Sequence, residues 1–418
     1  MTSTERAAEL MAALASPSGL ALLRRLPVYD EATVLSVTAR LRDEGVDPDL
    51  ASAALTQSRL RSRARGRLGP VADRLLLTAD GLEQATRPAV AARHAERFLA
   101  CGVEHVWDLG SGVGMDSLAF AEAGLVVTAL ERSAEVAVAA TANLAPYPHA
   151  RVVTAEVDSF DPAPGDGAWL DPARRTPGVA DARGRTRRVW RLSDLSPSWE
   201  QVLAVAARTA ATGAKLSPGF RAEDLPDGAE AEWVSLDGGV VECVVWWGRA
   251  VRQPGISALV GTSEAAEAGA GGTRWHVVEP VSDAPEPLQS ADALGPFVGE
   301  PDRAVLAAGL TGTLSALVNG QELDHHVGYV SAPAPTPVPW ARWYAVEESL
   351  PLHPRPVRAW LRERAIDQVT IKKRGVSTDP ERFRSELRLR RGQGQEGTLI
   401  LTRVAGTPTA LVVRPLAP

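Results

Sequence analysis

The chain has 418 residues, 45% apolar and 23% charged, with a formal net charge of −6. This is ordinary composition for a globular protein, and the length calls for two or three domains with a core that needs no staples. Two cysteines, Cys101 and Cys243, exclude a disulfide framework or a cysteine-rich zinc site and fit a reducing compartment. The first ten residues lack the basic and apolar regions of a signal peptide, and the strongest apolar run, 240–247, is too short to cross a bilayer. A cytoplasmic location is expected.

Residues 1–95 have helix-forming composition, with apolar residues three or four apart in 3–14 and 30–44. The basic run 59–67 reads as a solvated helix face. From about 103, short apolar runs alternate with helical stretches, the pattern of a parallel sheet. Strands are predicted at 103–109, 125–130, 151–155 and 167–170, and a fifth begins at 214–216. Helices are predicted at 116–123, 134–144 and 199–211. The segments 231–236 and 240–247, joined by Asp237-Gly238-Gly239, form a hairpin. The Gly- and Pro-rich stretch 251–290 reads as a linker or long loop. Residues 291–418 read as a separate α+β domain with a proline-rich loop at 333–339. The expected layout is an N-terminal helical region (1–95), an α/β domain (96–250), the linker (251–290) and the α+β domain (291–418).

Chemistry concentrates first at Asp108-Leu109-Gly110-Ser111-Gly112-Val113-Gly114-Met115-Asp116. Glycines that follow a strand and open a helix let the backbone turn tightly and approach a ligand. Asp108, at the strand end, is placed to accept a hydrogen bond from a cationic amine, and Asp116 opens the helix. Met115 stands where a dinucleotide fingerprint needs its third glycine, which disfavours a nicotinamide oxidoreductase. Glu131 ends the second strand about 20 residues beyond the glycines, a spacing suited to ribose hydroxyls, with Arg132 beside it. Glu156 and Asp158 follow the third strand as candidates for the adenine end.

The fourth strand ends in Asp171-Pro172-Ala173-Arg174-Arg175. Proline stiffens this turn, and Asp171 can accept from a substrate N–H. Neither cysteine sits at an attacking position, which disfavours a covalent route. Arg174, Arg175, Arg183, Arg185, Arg187, Arg188 and Arg191 make the following loop basic, and arginine forks suit phosphate. Residues 355–414 hold 14 basic and 6 acidic side chains, a balance of +8 against −14 for the remainder. Within that stretch, Lys372-Lys373-Arg374-Gly375 suits a phosphodiester backbone, although a solvated strand end explains it as well. Trp340, Trp343, Tyr344 and Trp360 are expected in the core. His325-His326 lacks a third ligand at metal spacing, so no metal is expected.

The glycine turn, the 129–132 strand end and the 155–158 segment together resemble the first three motifs of class I S-adenosylmethionine-dependent methyltransferases. The resemblance implies a Rossmann-like α/β domain with a seven-stranded sheet ending in an antiparallel hairpin, and S-adenosylmethionine as cofactor. It implies that Asp108, Gly110, Gly112, Gly114, Asp116, Glu131, Arg132, Glu156 and Asp158 hold that cofactor. It also places Asp171 and Arg174 at the methyl-transfer position. Segments 81–86, 171–175 and 215–219, with Gly309-Leu310, Tyr329 and 371–375, resemble a bacterial family related to RNA cap guanine-N2 (trimethylguanosine) methyltransferases. That family carries a C-terminal THUMP-like module. It implies an RNA substrate, and Arg175, Arg185, Arg188, Lys372, Lys373 and Arg374 are, by their charge, the candidates for its phosphates. Two alternatives stay open: a methyltransferase of a small metabolite or protein, and a non-catalytic RNA-binding protein that keeps the cofactor fold. Oligomeric state is not legible.

Overall fold

The structure is a computed structural model that describes residues 2–174, 192, 195–264, 272–389 and 394–417. The chain divides into two compact units, one of residues 1–216, 225–230 and 244–254, the other of 217–224, 231–243 and 255–418.

The first unit opens with six helices: α1 Ser3–Ala15, α2 Pro17–Arg25, α3 Val34–Asp43, α4 Pro48–Leu68, α5 Ala79–Gln84 and α6 Pro88–Ala100. Local chemistry sets their ends. Thr2 and Glu5 form a capping box at α1, and Asp47 with Pro48 starts α4, which Gly69 stops at a φ of 66°. Then come β1 His105–Leu109, α7 Met115–Glu122, β2 Val126–Glu131, α8 Ala134–Leu144, β3 Ala150–Thr154 and β4 Gly167–Leu170. After the two-residue strands β5 Ala173–Arg174 and β6 Leu195–Ser196 come α9 Trp199–Ala206 and β7 Ala211–Leu216. Strands β1, β2, β3, β4 and β7 are parallel, in the order β3-β2-β1-β4-β7. All four residues of β4 and four of the five in β1 are buried, as central parallel strands require.

The N-terminal helices share a core with this sheet domain instead of standing apart. Met11, Leu14, Leu41 and Leu76 pack with Ala139 of α8. The buried Asn143 side chain accepts from the Leu76 amide at 2.7 Å and donates to the carbonyls of Leu76 (3.0 Å) and Val113 (2.9 Å). Helix α9 ends five residues earlier than composition predicts, because Ala211 already pairs with Gly167 in the sheet.

The hairpin strands are β8 Glu230–Leu236 and β9 Gly239–Gly248. The stretch expected as a linker instead carries β10 Gly255–Ser263 and β11 Thr273–Val278, an antiparallel pair with Ala258 opposite Val278. The main sheet accordingly has nine strands and not seven.

The remainder of the second unit holds β12 Phe297–Pro301, α10 Arg303–Ala307, α11 Thr311–Leu317, β13 Gln321–Glu322, β14 Val330–Ala332, β15 Ala341–Pro351, α12 Pro354–Glu363, β16 Ile366–Lys373, α13 Pro380–Leu387, β17 Gln395–Val404 and β18 Thr407–Pro415. Seven of these strands form one sheet, β13-β14-β12-β15-β18-β17-β16, in which only β16 and β17 pair in parallel. Alternation divides β17 between two cores. Leu399 and Leu401 meet Val357 and Leu361 of α12 and Phe383 of α13, while Ile400 turns to Val298, Tyr329 and Tyr344. Trp343, Tyr344 and Trp360 are buried, as expected, whereas Trp340 is only half-buried. No helix among the described residues is long and apolar enough to cross a membrane.

Candidate active site

The strand order reverses between β1 and β4, and a ligand crevice in such sheets opens at the carboxyl ends of the strands there. The glycine loop leaves β1 at that point and Asp171 follows β4. The amides of Gly110 and Ser111 both donate to the Leu130 carbonyl, at 2.9 and 3.1 Å, so the loop folds back on the end of β2. Gly110, Gly112 and Gly114 have φ of 94°, 55° and 86°, values that exact a steric cost from other residues. A Cβ on Gly110 or Gly112 would meet open space, so the loop presents bare backbone to the crevice.

Glu131 is half-buried. Its Oε2 accepts from the Gly112 amide at 3.0 Å and its Oε1 from the Ser133 amide at 2.8 Å. The Ser111 hydroxyl is buried without a hydrogen-bond partner. The bare loop backbone, the orphaned Ser111 hydroxyl and the strand-end carboxylate of Glu131 are groups that suit an amino-acid-bearing nucleoside.

Beneath the loop lies a buried polar network. Asp108 accepts from Ser117 Oγ at 2.5 Å. Burial, then the charges of Asp116 and Asp171, push the Asp108 carboxyl up to about 8, against the opposing pull of Ser117 and Lys215. Asp116 accepts from Thr86 Oγ1 at 2.7 Å and from His94 Nδ1 at 2.8 Å. Burial alone would raise Asp116, but His94, Lys215 and Thr86 together outweigh it and hold this carboxyl below the ordinary carboxylate range. The His94 ring stacks on Trp169 at 4.1 Å. Lys215, on β7, reaches Asp171 Oδ2 at 2.5 Å, Thr86 Oγ1 at 3.0 Å and the Gln84 carbonyl at 3.4 Å.

Sequence reasoning brought Asp108, the three glycines, Asp116, Glu131 and Asp171 to this end of the sheet. Arg132 and Glu156 are exposed beside it, and Asp158 accepts from Gln201 Nε2 of α9 at 3.0 Å. The Arg174 backbone pairs with Leu195 in the β5–β6 ladder. Arg175, Arg183, Arg185, Arg187, Arg188 and Arg191 lie outside the described residues. Thr86 and Lys215 stood in the quoted segments 81–86 and 215–219, but nothing in spacing joined them. His94 and Ser117 carried no signal.

In the second unit, Lys372 and Arg374 both pair with Glu300, at 2.6 and 3.3 Å, and the Tyr344 hydroxyl donates to the same carboxylate at 2.9 Å. Arg374 also donates to the Gly328 carbonyl at 2.8 Å and lies over the Tyr329 ring at 4.6 Å. Lys373 is exposed. His325 and His326 are exposed on a turn, with His326 at a φ of 58°. No metal-holding group occurs among the described residues.

The chain is similar to known proteins in two segments and along most of its length. Residues 341–415 match a family described as THUMP domain-like, and 7–64 match a domain of unknown function. Two proteins named as uncharacterized S-adenosylmethionine-dependent methyltransferases, from Mycobacterium tuberculosis strains CDC 1551 / Oshkosh and ATCC 25618 / H37Rv, are each 29% identical over 369 residues. The match covers 85% of this chain and 95% of each relative. A crystal structure assigned as a methyltransferase, from Porphyromonas gingivalis W83, shares the fold at a TM-score of 0.64 and 20% identity, covering 94% of this chain and 100% of that one. The chain is an S-adenosylmethionine-dependent methyltransferase with a THUMP domain-like segment.

Proposed function

We propose that this S-adenosylmethionine-dependent methyltransferase transfers its methyl group to a nitrogen, or an oxygen, of RNA without a covalent cysteine intermediate. The observation that carries the reading is Asp171, at the end of β4 beside the switch point and bound by Lys215 at 2.5 Å. A carboxylate there accepts from an acceptor N–H or O–H and turns the lone pair toward the methyl carbon. The cofactor supplies the electrophilic methyl on a sulfonium, so the protein's task is alignment. Gly110, Gly112, Gly114, Asp108 and Glu131 hold the cofactor, with Asp116 bracing the loop and Arg132, Glu156 and Asp158 at its nucleoside end.

The non-covalent route is supported by the cysteines. Cys243 is buried with its thiol raised by burial well above the ordinary range, and the Cys101 thiol is raised by burial too. RNA is supported by the THUMP domain-like match and the basic balance of 355–414. Arg174, Arg175, Arg185, Arg188 and the exposed Lys373 are the proposed phosphate contacts, with Lys372 and Arg374 shaping the strand that presents Lys373. The resemblance to cap guanine-N2 methyltransferases favours an exocyclic base nitrogen. A second reading, a small metabolite or protein acceptor, is favoured by one fact: Lys372 and Arg374 are already paired with Glu300.

The test is mass spectrometry of modified nucleosides in RNA from cells with and without the gene, paired with labelled S-adenosylmethionine on the deletion RNA. A nucleoside lost on deletion and restored by the protein establishes the reaction. No change in any nucleoside moves the search to metabolites and proteins.

A further inference from the structure

The acceptor carboxylate and the cofactor-side carboxylate are joined by a continuous run of polar groups. Asp171 follows β4 and Lys215 lies on β7, where Leu170 and Ala214 are ladder partners. The Lys215 side chain is 16% exposed and that of Asp171 29%. Beyond Asp171, the Lys215 ammonium donates to Thr86 Oγ1, and the Thr86 hydroxyl in turn donates to Asp116 Oδ2. Asp116 lies in the first turn of α7, and the next residue, Ser117, donates to Asp108.

We propose that Lys215 is a positioning residue that fastens Asp171 to the 84–86 segment and, through Thr86 and α7, couples the acceptor side to the charge state of Asp108. Cofactor affinity then responds to what occupies the acceptor side. The inference rests on the reading of Asp171 as the acceptor carboxylate.

The electrostatics around Asp108 give the direction of the effect. It faces Asp116 from α7, Asp171 from the end of β4 and Lys215 from β7, while β2 presents Ala129 beside it. His94 of α6 holds Asp116. Lys215 favours the ionised form of Asp108 and Asp171 opposes it. An ammonium on the bound cofactor needs that ionised form.

The experiment is calorimetric titration of the full chain with S-adenosylmethionine from pH 6 to 9.5, on the wild type, Lys215→Met, Lys215→Arg and Thr86→Val. Thermal unfolding is followed on the same samples. The cofactor's own amine titrates alike in all of them, so differences between variants report the protein. The expected result is an affinity that rises with pH in the wild type, a midpoint about one unit higher in Lys215→Met, and a midpoint restored by Lys215→Arg. Thr86→Val falls between. A folded Lys215→Met with the wild-type midpoint overturns the proposal. If Lys215→Met does not fold, Asp171→Asn decides: removing that negative charge lowers the midpoint, and an unmoved midpoint overturns the proposal. The readout uses the cofactor alone, so an acceptor other than RNA leaves it intact.

Discussion

Glu131 accepts the Gly112 amide at 3.0 Å through one oxygen and the Ser133 amide at 2.8 Å through the other, tying the glycine loop to the start of α8. The residue proposed to hold the ribose therefore also braces the backbone that meets the amino-acid end. Glu131→Gln keeps the shape but replaces one acceptor oxygen with an amide donor. Hydrogen bonds to charged groups contribute about 1.5–3 kcal/mol, so cofactor affinity should fall roughly tenfold to a hundredfold. Calorimetry measures it, and an unchanged affinity would remove Glu131 from the cofactor site.

Asp108 places a stability cost at the proposed cofactor site. Its carboxyl is raised from 3.8 to about 8, first by burial and then by Asp116 and Asp171. Between those values the unfolded chain releases a proton that the folded chain keeps. Stability thus falls as pH rises through that window and levels off above about 8. Asp108→Asn keeps an acceptor for Ser117 and removes the ionisation. Its melting temperature should exceed the wild type's at pH 8, with the gap narrowing toward pH 5, while cofactor affinity drops. A variant less stable than wild type at pH 8 contradicts this account.

Asn143 is the bolt between the N-terminal helices and the glycine loop, through Leu76 on one side and Val113 on the other. Asn143→Ala strands a buried amide and two carbonyls, each costing about 1–3 kcal/mol when unsatisfied. Chemical denaturation should show a loss of about 3 kcal/mol or more. A loss below about 0.5 kcal/mol, typical of a surface change, would mean that other contacts hold the region.

Gly81 presses α5 against the same loop. A Cβ there would lie 2.6 Å from Val113 Cγ1 and 2.7 Å from Thr78 Oγ1. Gly81→Ala must displace one of them, at a cost of about 1–3 kcal/mol for overpacking. Val113 sits between two loop glycines, so cofactor affinity should weaken together with stability. A stability loss with wild-type affinity would separate α5 from the cofactor site.

What the sequence made legible was local. The β1–loop–α7 turn and Glu131 could be read because backbone turning and ladder register place them within about 20 residues of one another. The hairpin announced itself through Asp237-Gly238-Gly239, whose first two residues have φ of 52° and 76°. The Lys215–Thr86 contact spans 129 residues of chain and has no periodic signature. His94 carried no signal in the sequence, yet it is buried and makes the hydrogen bond that helps keep Asp116 ionised. Strands β10 and β11 escaped because glycine and polar residues break the composition on which strand prediction leans.

Adjacent lysines on β16 should behave as opposites. Lys372 is 28% exposed and, with Tyr344 and Arg374, holds Glu300 below the ordinary carboxylate range against the upward push of burial. A lowered carboxyl stabilises the fold above its unfolded-state value and loses that contribution as pH falls through the folded value. Lys372→Met removes the largest opposing group while Arg374 remains, so stability at pH 7 should drop by about 1–2 kcal/mol, below the 3–5 kcal/mol of a fully buried pair. Lys373 is exposed, and Lys373→Ala should stay within about 0.5 kcal/mol of wild type. If it meets an RNA phosphate, its loss lowers affinity for bulk RNA across sequences and reduces the salt slope by about 1. Denaturation and salt-dependent binding on both variants check the pair. Stable Lys372→Met with weakened RNA binding would return Lys372 to the phosphate contacts, and unaltered binding by Lys373→Ala would take Lys373 out of them.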